Sequence, residues 1–209
     1  MKKIPRSSRT FFYVALFFVM LPTLLDFYKG EMGRLIVATT PNADRDFSAS
    51  VVYIAEHTWK GAMGFVVNQR MKSDDPVIPK YLSGRNLPIY RGGPVEFPDK
   101  VFVLEKTEEG AKGNFLQVMP FEKIVAERPD ILEQIAQEQK EGSDRYRIYL
   151  GYAGWGSSQM EMEFMRGAWF RTELRPEWIF NDSESALDTW MKAIGRAERK
   201  GSARMPGII

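Results

Sequence analysis

The chain contains no cysteine, and among its 209 residues there is a single histidine, His57. Without thiols there are no disulfides, no thiolate nucleophile, no iron–sulfur cluster and no cysteine-bound zinc site. One imidazole excludes a multi-histidine metal centre. A metal would need carboxylates, and no regular Asp/Glu ligand spacing is visible. No cofactor is expected, while the lack of cysteine leaves the compartment open.

An excess of positive charge is missing as well. The formal net charge is +2, but residues 1–30 hold Lys2, Lys3, Arg6, Arg9 and Lys29 against Asp26, which leaves the other 179 residues at −2. Most non-specific nucleic-acid affinity comes from Lys and Arg neutralising phosphates, and this domain lacks the charge for it. No helix-turn-helix with a basic recognition helix is evident either, so nucleic acid is not expected as a partner. Two catalytic signatures are also absent: the Gly-Lys-Ser/Thr ending of a phosphate loop and the Gly-x-Ser-x-Gly nucleophile elbow.

Long apolar runs are confined to one place. Phe11 to Leu25 is almost continuously apolar, and Phe27-Tyr28 extends it past Asp26. As a helix, residues 11–28 would span about 27 Å, close to the hydrocarbon thickness of a bilayer. Pro22 is tolerable in a membrane helix and Tyr28 suits the interface. A cleaved signal peptide is the competing reading, but no Ala-x-Ala site follows; Met32-Gly33 offers an alternative start. Residues 1–10 are then a basic flank, 11–28 an uncleaved anchor, and 196–209 a basic, frayed tail. Four basic residues precede the anchor, so the positive-inside rule keeps the amino terminus cytoplasmic, exporting the domain across the inner membrane.

The rest reads as one globular domain, with five tryptophans and 13% aromatic residues to fill a core. Strand patterns cover residues 34–40, 50–56, 63–68, 88–90, 101–104, 115–119, 145–150 and 168–174. Amphipathic helices are expected from Pro129 to about Glu138 and from Asp182 or Ser183 through Ile194, with a short one capped by Ser158 and Glu161. Strands outnumber helices and the early ones follow one another directly, so the class is α+β.

The most distinctive stretch is Gly151-Tyr152-Ala153-Gly154-Trp155-Gly156, set between a strand and a helix-start signal at Gln159. It reads as a tight turn bringing backbone close to a ligand or to a neighbouring sheet. No lysine follows it and Trp155 would crowd a pyrophosphate, so a packing turn is the stronger reading. Arg91-Gly92-Gly93-Pro94 is a second backbone-shaping element. Arg70 and Arg91 are candidates for recognising a carboxylate or phosphate. His57 suits a general base in principle, but adjacent Glu56 points to the opposite strand face and cannot orient it. Glu161 and Glu163 lie two apart on a helix and do not face each other, so no paired-carboxylate site is supported.

Taken in order, these segments resemble the YqgE/AlgH family of bacterial proteins. The resemblance is carried by Gly33-Arg34-Leu35-Ile36-Val37-Ala38-Thr39, Phe47-x-x-Ser50-Val51-Val52, Glu56-His57, Gly61 to Asn68, Gly92-Gly93-Pro94-Val95, the Gly151–Gly156 stretch with Gln159, Trp169 and Trp190. It covers about residues 32–195. It implies a bent mixed sheet forming a pseudo-barrel with flanking helices, and no established enzymatic activity. Some members carry a transcriptional-regulator label, which the charge balance does not support as direct DNA binding. Three departures stand out: Asn68-Gln69-Arg70 where the family has Asn-Arg-Pro, Glu105 where a histidine is frequent, and the added apolar segment, since relatives look cytosolic.

The function expected is a non-enzymatic binding or regulatory module attached to the membrane through residues 11–28, with a protein or small-molecule partner. The alternative is a small-molecule binder or enzyme with a pocket near His57, Asn68 and Gly151–Gly156. That candidate pocket comprises His57, Asn68, Arg70, Arg91, Gly92, Gly93, Gly151, Gly154, Trp155, Gly156 and Gln159.

Overall fold

The computed structural model describes residues 30–39, 46–107, 116–181 and 184–202. The expected anchor at 11–28 and its basic flank lie outside the described residues, as do residues 203–209. Among the described residues no helix is long and apolar enough to cross a membrane.

Nine strands and five helices make up the described fold. In chain order they are β1 (Leu35–Ala38), β2 (Val51–Thr58), β3 (Gly61–Val66), β4 (Ile89–Arg91), β5 (Val101–Lys106), β6 (Leu116–Pro120), α1 (Phe121–Glu127), α2 (Ile131–Lys140), β7 (Tyr146–Leu150), β8 (Ala153–Gly156), α3 (Gln159–Met165), β9 (Trp169–Thr172), α4 (Pro176–Ile179) and α5 (Ala186–Ser202). The strands form two sheets. One is antiparallel in the order β8-β3-β2-β1-β9; the other, β4-β7-β5-β6, is mixed because β4 runs parallel to β7. The α+β class and the mixed, curled sheet architecture are as expected.

Strand alternation explains the layering. Leu35, Val37, Val51, Tyr53 and Phe65 from the first sheet meet Phe102, Leu104 and Tyr149 from the second, and Ala193 and Ile194 of α5 close that core. The opposite face of the second sheet carries Val101, Val103, Ile148 and Leu150 against Ile124 of α1 and Ile131 and Ile135 of α2. The opposite face of the first sheet carries Ile36, Val52, Ile54 and Val66 against Met160 of α3, beside Trp155 and Trp169. Period-two alternation in the sequence therefore places residues on two buried faces per sheet.

Several local expectations change. The Gly151–Gly156 stretch is not a tight turn: only Gly151 bends, at φ +66°, and Ala153–Gly156 is an edge strand pairing antiparallel with β3. Ser158 does not cap α3. It sits in the left-handed region at φ 60° with no side-chain cap bond, and Gln159 reaches back instead, its Oε1 accepting the Gly156 N–H at 3.0 Å. α2 starts at Ile131 rather than Pro129. α5 starts at Ala186, with Ser185 Oγ accepting the Asp188 N–H at 3.1 Å, and its backbone stays helical to Ser202, well into the stretch expected to be frayed.

Candidate functional site

The eleven residues expected to line one pocket fall into separate places, and the chemistry of each place differs. His57 sits near the end of β2. The register of β2 against β3 shifts between Ile54 and Glu56, and this bulge carries His57 onto the same face as Ile54, toward α3. There Nδ1 accepts the backbone N–H of Glu31 at 2.8 Å, which leaves the ring proton on Nε2 to be donated to Glu161 Oε1 at 2.9 Å. Both ring nitrogens are committed. The imidazole fastens the chain entering β1 and the helix α3 to one point of the sheet, an arrangement that holds no free lone pair for a substrate proton. Glu31 completes the cluster, its Oε1 accepting from Arg171 Nε at 2.6 Å while Arg171 stacks over the Phe164 ring.

Gly92, Gly93 and Gly151 form the junction between the two sheets. Val66 N–H donates to Gly92 O and Gly92 N–H to Leu150 O, each at 2.8 Å. A Cβ on Gly92 would lie 2.3 Å from Gly151 O, and one on Gly93 2.3 Å from Tyr152 C. Such distances are far inside van der Waals contact, so the strands approach because these positions have no side chain. No space for a ligand remains there.

Gly154, Trp155 and Gly156 lie on β8. Trp155 is buried against Phe47 and Trp169, and its indole N–H donates to Glu163 Oε2 at 2.8 Å; the Trp169 indole donates to the same oxygen at 2.7 Å. Glu163 is thus a packing carboxylate shared by two indoles. Arg91, offered as an anion-binding group, reaches this chain's own Asp46 at 2.6 Å and stacks over Phe97.

Asn68 and Arg70 stand elsewhere, after β3, and they do line a cleft. Its volume is about 380 Å³, and it runs between Val67–Arg70 with Tyr90 on one side and Trp178, Asn181, Glu184–Ala186 and Thr189 on the other. Asn68 is buried and spent on structure. Its Oδ1 accepts the Val51 N–H at 2.9 Å, and its Nδ2 donates to Ala49 O and to Ala186 O, each at 2.8 Å. It therefore ties the first turn of α5 to the sheet and sets the width of the cleft. The opposite wall rests on Arg147, fully buried, which donates to Ile179 O at 3.1 Å and to Tyr146 O at 2.8 Å between the Tyr90 and Phe180 rings. A buried guanidinium is tolerable only with such partners, and here they hold α4 against the second sheet. Gln69, Arg70, Asn181, Glu184 and Ser185 supply the cleft's polar surface; Tyr90 and Trp178 supply flat aromatic area. The sequence singled out Asn68 and Arg70 but missed this α4–α5 wall, because nothing local says that residues 178–189 meet residue 68.

Glu105, the position where the resemblance leads one to expect histidine, is a buried carboxylate at the end of β5. Arg145 reaches its Oε1 at 2.6 Å, Arg128 its Oε2 at 2.8 Å, and the Tyr146 hydroxyl donates to Oε1 at 3.1 Å. Burial pushes the carboxyl up, but the hydrogen bonds from Arg128 and Arg145, the Arg128 charge and Tyr146 outweigh it, so Glu105 titrates below the usual carboxylate range. Burial followed by the Glu105 charge raises the Tyr146 phenol. This network braces α1 and α2 on the second sheet. Among the described residues no group of three His, Cys, Asp or Glu is placed to hold a metal ion.

The model of a family described as AlgH-like matches residues 35–201. A protein of Paraburkholderia phymatum named UPF0301 protein is 30% identical over 170 residues, covering 78% of this chain and 87% of that protein. One of Burkholderia cenocepacia is 30% identical over 155 residues, covering 71% and 79%. Among solved structures, the AlgH protein of Pseudomonas aeruginosa superposes with a TM-score of 0.56 at 23% identity, over 85% of this chain and 95% of that one. A protein from Corynebacterium diphtheriae gives 0.54 at 22% identity, over 78% and 84%. At these identities the two structures speak for the fold alone.

Proposed function

Because the chain belongs to the AlgH-like family, we propose that it is a non-enzymatic binding module that recognises its partner through the cleft between Val67–Arg70 and α5. The observation that carries this reading is that His57, Asn68 and Arg91 are each already engaged by groups of the fold itself. His57 has both nitrogens engaged, Asn68 makes three hydrogen bonds to the backbone, and Arg91 holds Asp46. What remains facing the cleft is a mixed polar and aromatic surface suited to recognition rather than to proton transfer.

The same proposal holds the module at the inner membrane by residues 11–28, with the amino terminus cytoplasmic. Its support is the length and apolarity of that segment and the basic flank before it. Carboxyl-terminal fusions to alkaline phosphatase and to a fluorescent protein test the topology: activity of the phosphatase fusion alone is expected, and fluorescence alone overturns the exported side. For the cleft, a photo-crosslinking residue at Gln69 in intact cells is expected to give a discrete adduct that the same probe at Lys140, on the far side of the second sheet, does not. Adducts equal at both positions, or a catalytic turnover that Arg70→Ala abolishes, overturn the binding-module reading.

A cleft of about 380 Å³ also falls within the range of small-molecule sites, which favours a metabolite as the alternative occupant. That reading expects a metabolite to raise the melting temperature of the parent protein but not of Arg70→Glu.

A further inference from the structure

We infer that the face built around His57, carrying Met32, Trp59, Met162 and Met165, rests on the membrane, its occupant being the headgroup and upper acyl layer of the bilayer. The inference depends on the tether proposed above and adds the orientation of the domain upon it.

The four side chains come from three segments that meet at one place. Glu31 N–H donates to His57 Nδ1 at 2.8 Å and His57 Nε2 to Glu161 at 2.9 Å, so the segments that carry Met32, one residue beyond Glu31, and Met162, one beyond Glu161, are both fastened at the imidazole. Met165 follows Met162 by three residues on α3 and so shares its side of the helix. Trp59 caps the hairpin two residues past His57, and its carbonyl accepts from Ser157 Oγ at 2.9 Å, just ahead of α3. Their exposures are 52% for Met32, 69% for Trp59, 42% for Met162 and 81% for Met165. A cluster of large apolar side chains left this open marks a contact surface.

Why a bilayer should be the occupant follows from chain length and chemistry. The apolar segment ends at Tyr28, and Met32 is four residues on. Four residues reach roughly 14 Å when fully extended, whereas a domain of this size is about 40 Å across. If residues 11–28 span a membrane, the face bearing Met32 cannot be turned away from it. The face itself has interfacial character. Trp59 carries the Lys60 ammonium 5.3 Å from its ring centroid, the pairing of an aromatic body with a snorkelling cation that suits the headgroup level. Unbranched methionine side chains adapt to a fluid surface with no fixed pockets. Lys60 and exposed Arg166 stand at the margin, where anionic headgroups would meet them.

The absence of cysteine makes the test clean. Full-length protein with single substitutions Met165→Cys, Trp59→Cys or Lys140→Cys is labelled with a fluorophore and reconstituted in phosphatidylethanolamine–phosphatidylglycerol vesicles containing lipids spin-labelled near the headgroup. Because the Met165 side chain is mostly in solvent, its replacement leaves folding intact, which a thermal melt verifies. Most of the fluorescence at positions 165 and 59 is expected to be lost, and none at 140. Equal signals at 165 and 140, in a preparation that floats with the vesicles, overturn the docked face and leave the tether standing. Failure to float overturns the tether and this inference with it. A label at 165 shielded from aqueous iodide yet untouched by the lipid quencher places residues 11–28 or a second copy on the face, and also overturns it.

Discussion

The glycine junction and the cleft lie only a few residues apart along the same strands, yet they are opposites. At the junction, Gly92, Gly93 and Gly151 bring backbone against backbone, and an added Cβ would meet main-chain atoms at 2.3–2.5 Å. At the cleft, Val67–Arg70 and Tyr90 face an opening of about 380 Å³. Most of the motifs that make the family recognisable lie where the chain has no room left, and only the Val67-Asn68 end of the Gly61–Asn68 stretch reaches the cleft. The far wall of the surface with room is lined by residues that look ordinary in sequence. Sequence distinctiveness here reports how tightly the fold is closed, and the place for a partner has to be found from topology.

The sharpest way to break the comparison is Gly92→Val, which forces a side chain into Gly151 O. A loss of about 3 kcal/mol or more is expected, with failure to express as folded protein; a variant melting like the parent would show that the junction has slack. Next comes Asn68→Ala, which strands the Val51 N–H and the Ala49 and Ala186 carbonyls. It should cost about 2–3 kcal/mol in urea denaturation and loosen the start of α5, visible as faster amide exchange there.

Glu105 gives a smaller effect with a defined pH signature. Its folded-state carboxyl titrates lower than in the unfolded chain, so the stability it contributes is fully present above the ordinary carboxylate range and is lost as pH falls through the folded value. Glu105→Gln should therefore cost about 1–2 kcal/mol near neutrality, and its melting temperature should converge with that of the parent as the solution is acidified. A constant gap across the pH range would contradict the network. Smallest in stability is Arg70→Ala, expected within about 0.5 kcal/mol of the parent by melting while weakening whatever the cleft holds at least several-fold.

Much of the fold was legible because alternation is a local signal. Leu35–Ala38, Val51–Thr58, Val101–Lys106 and Tyr146–Leu150 announce themselves by apolar, β-branched runs, and the single α+β domain follows from their order. α1 was missed because it follows β6 without a break, entered from Pro120 with no side-chain cap to mark it. β8 was missed because its strand character comes from pairing with β3, which outweighs the glycines in Ala153–Gly156. The bulge near Ala55 carries no local mark, yet it decides which face His57 joins. Of the candidate residues, Asn68 and Arg70 line the cleft, and the α4–α5 wall opposite them was not anticipated. Glu161 was read as a cap partner of Ser158 and as a rejected pair with Glu163; the true partners of the two carboxylates, His57 for one and two indoles for the other, come from 104 residues away and from the neighbouring strands.

The interlocked glycines have one mechanical consequence. Because the two sheets meet with no gap at Gly92 and Gly151, the β3–β4 side of the cleft behaves as a fixed jamb. Any widening to admit a partner has to be made at the first turn of α5, because Arg147 holds α4 to the second sheet and Ala193 and Ile194 hold the middle of α5 in the core. That turn is latched by the hydrogen bond from Asn68 to Ala186, so a partner bulkier than the cleft must first draw that latch.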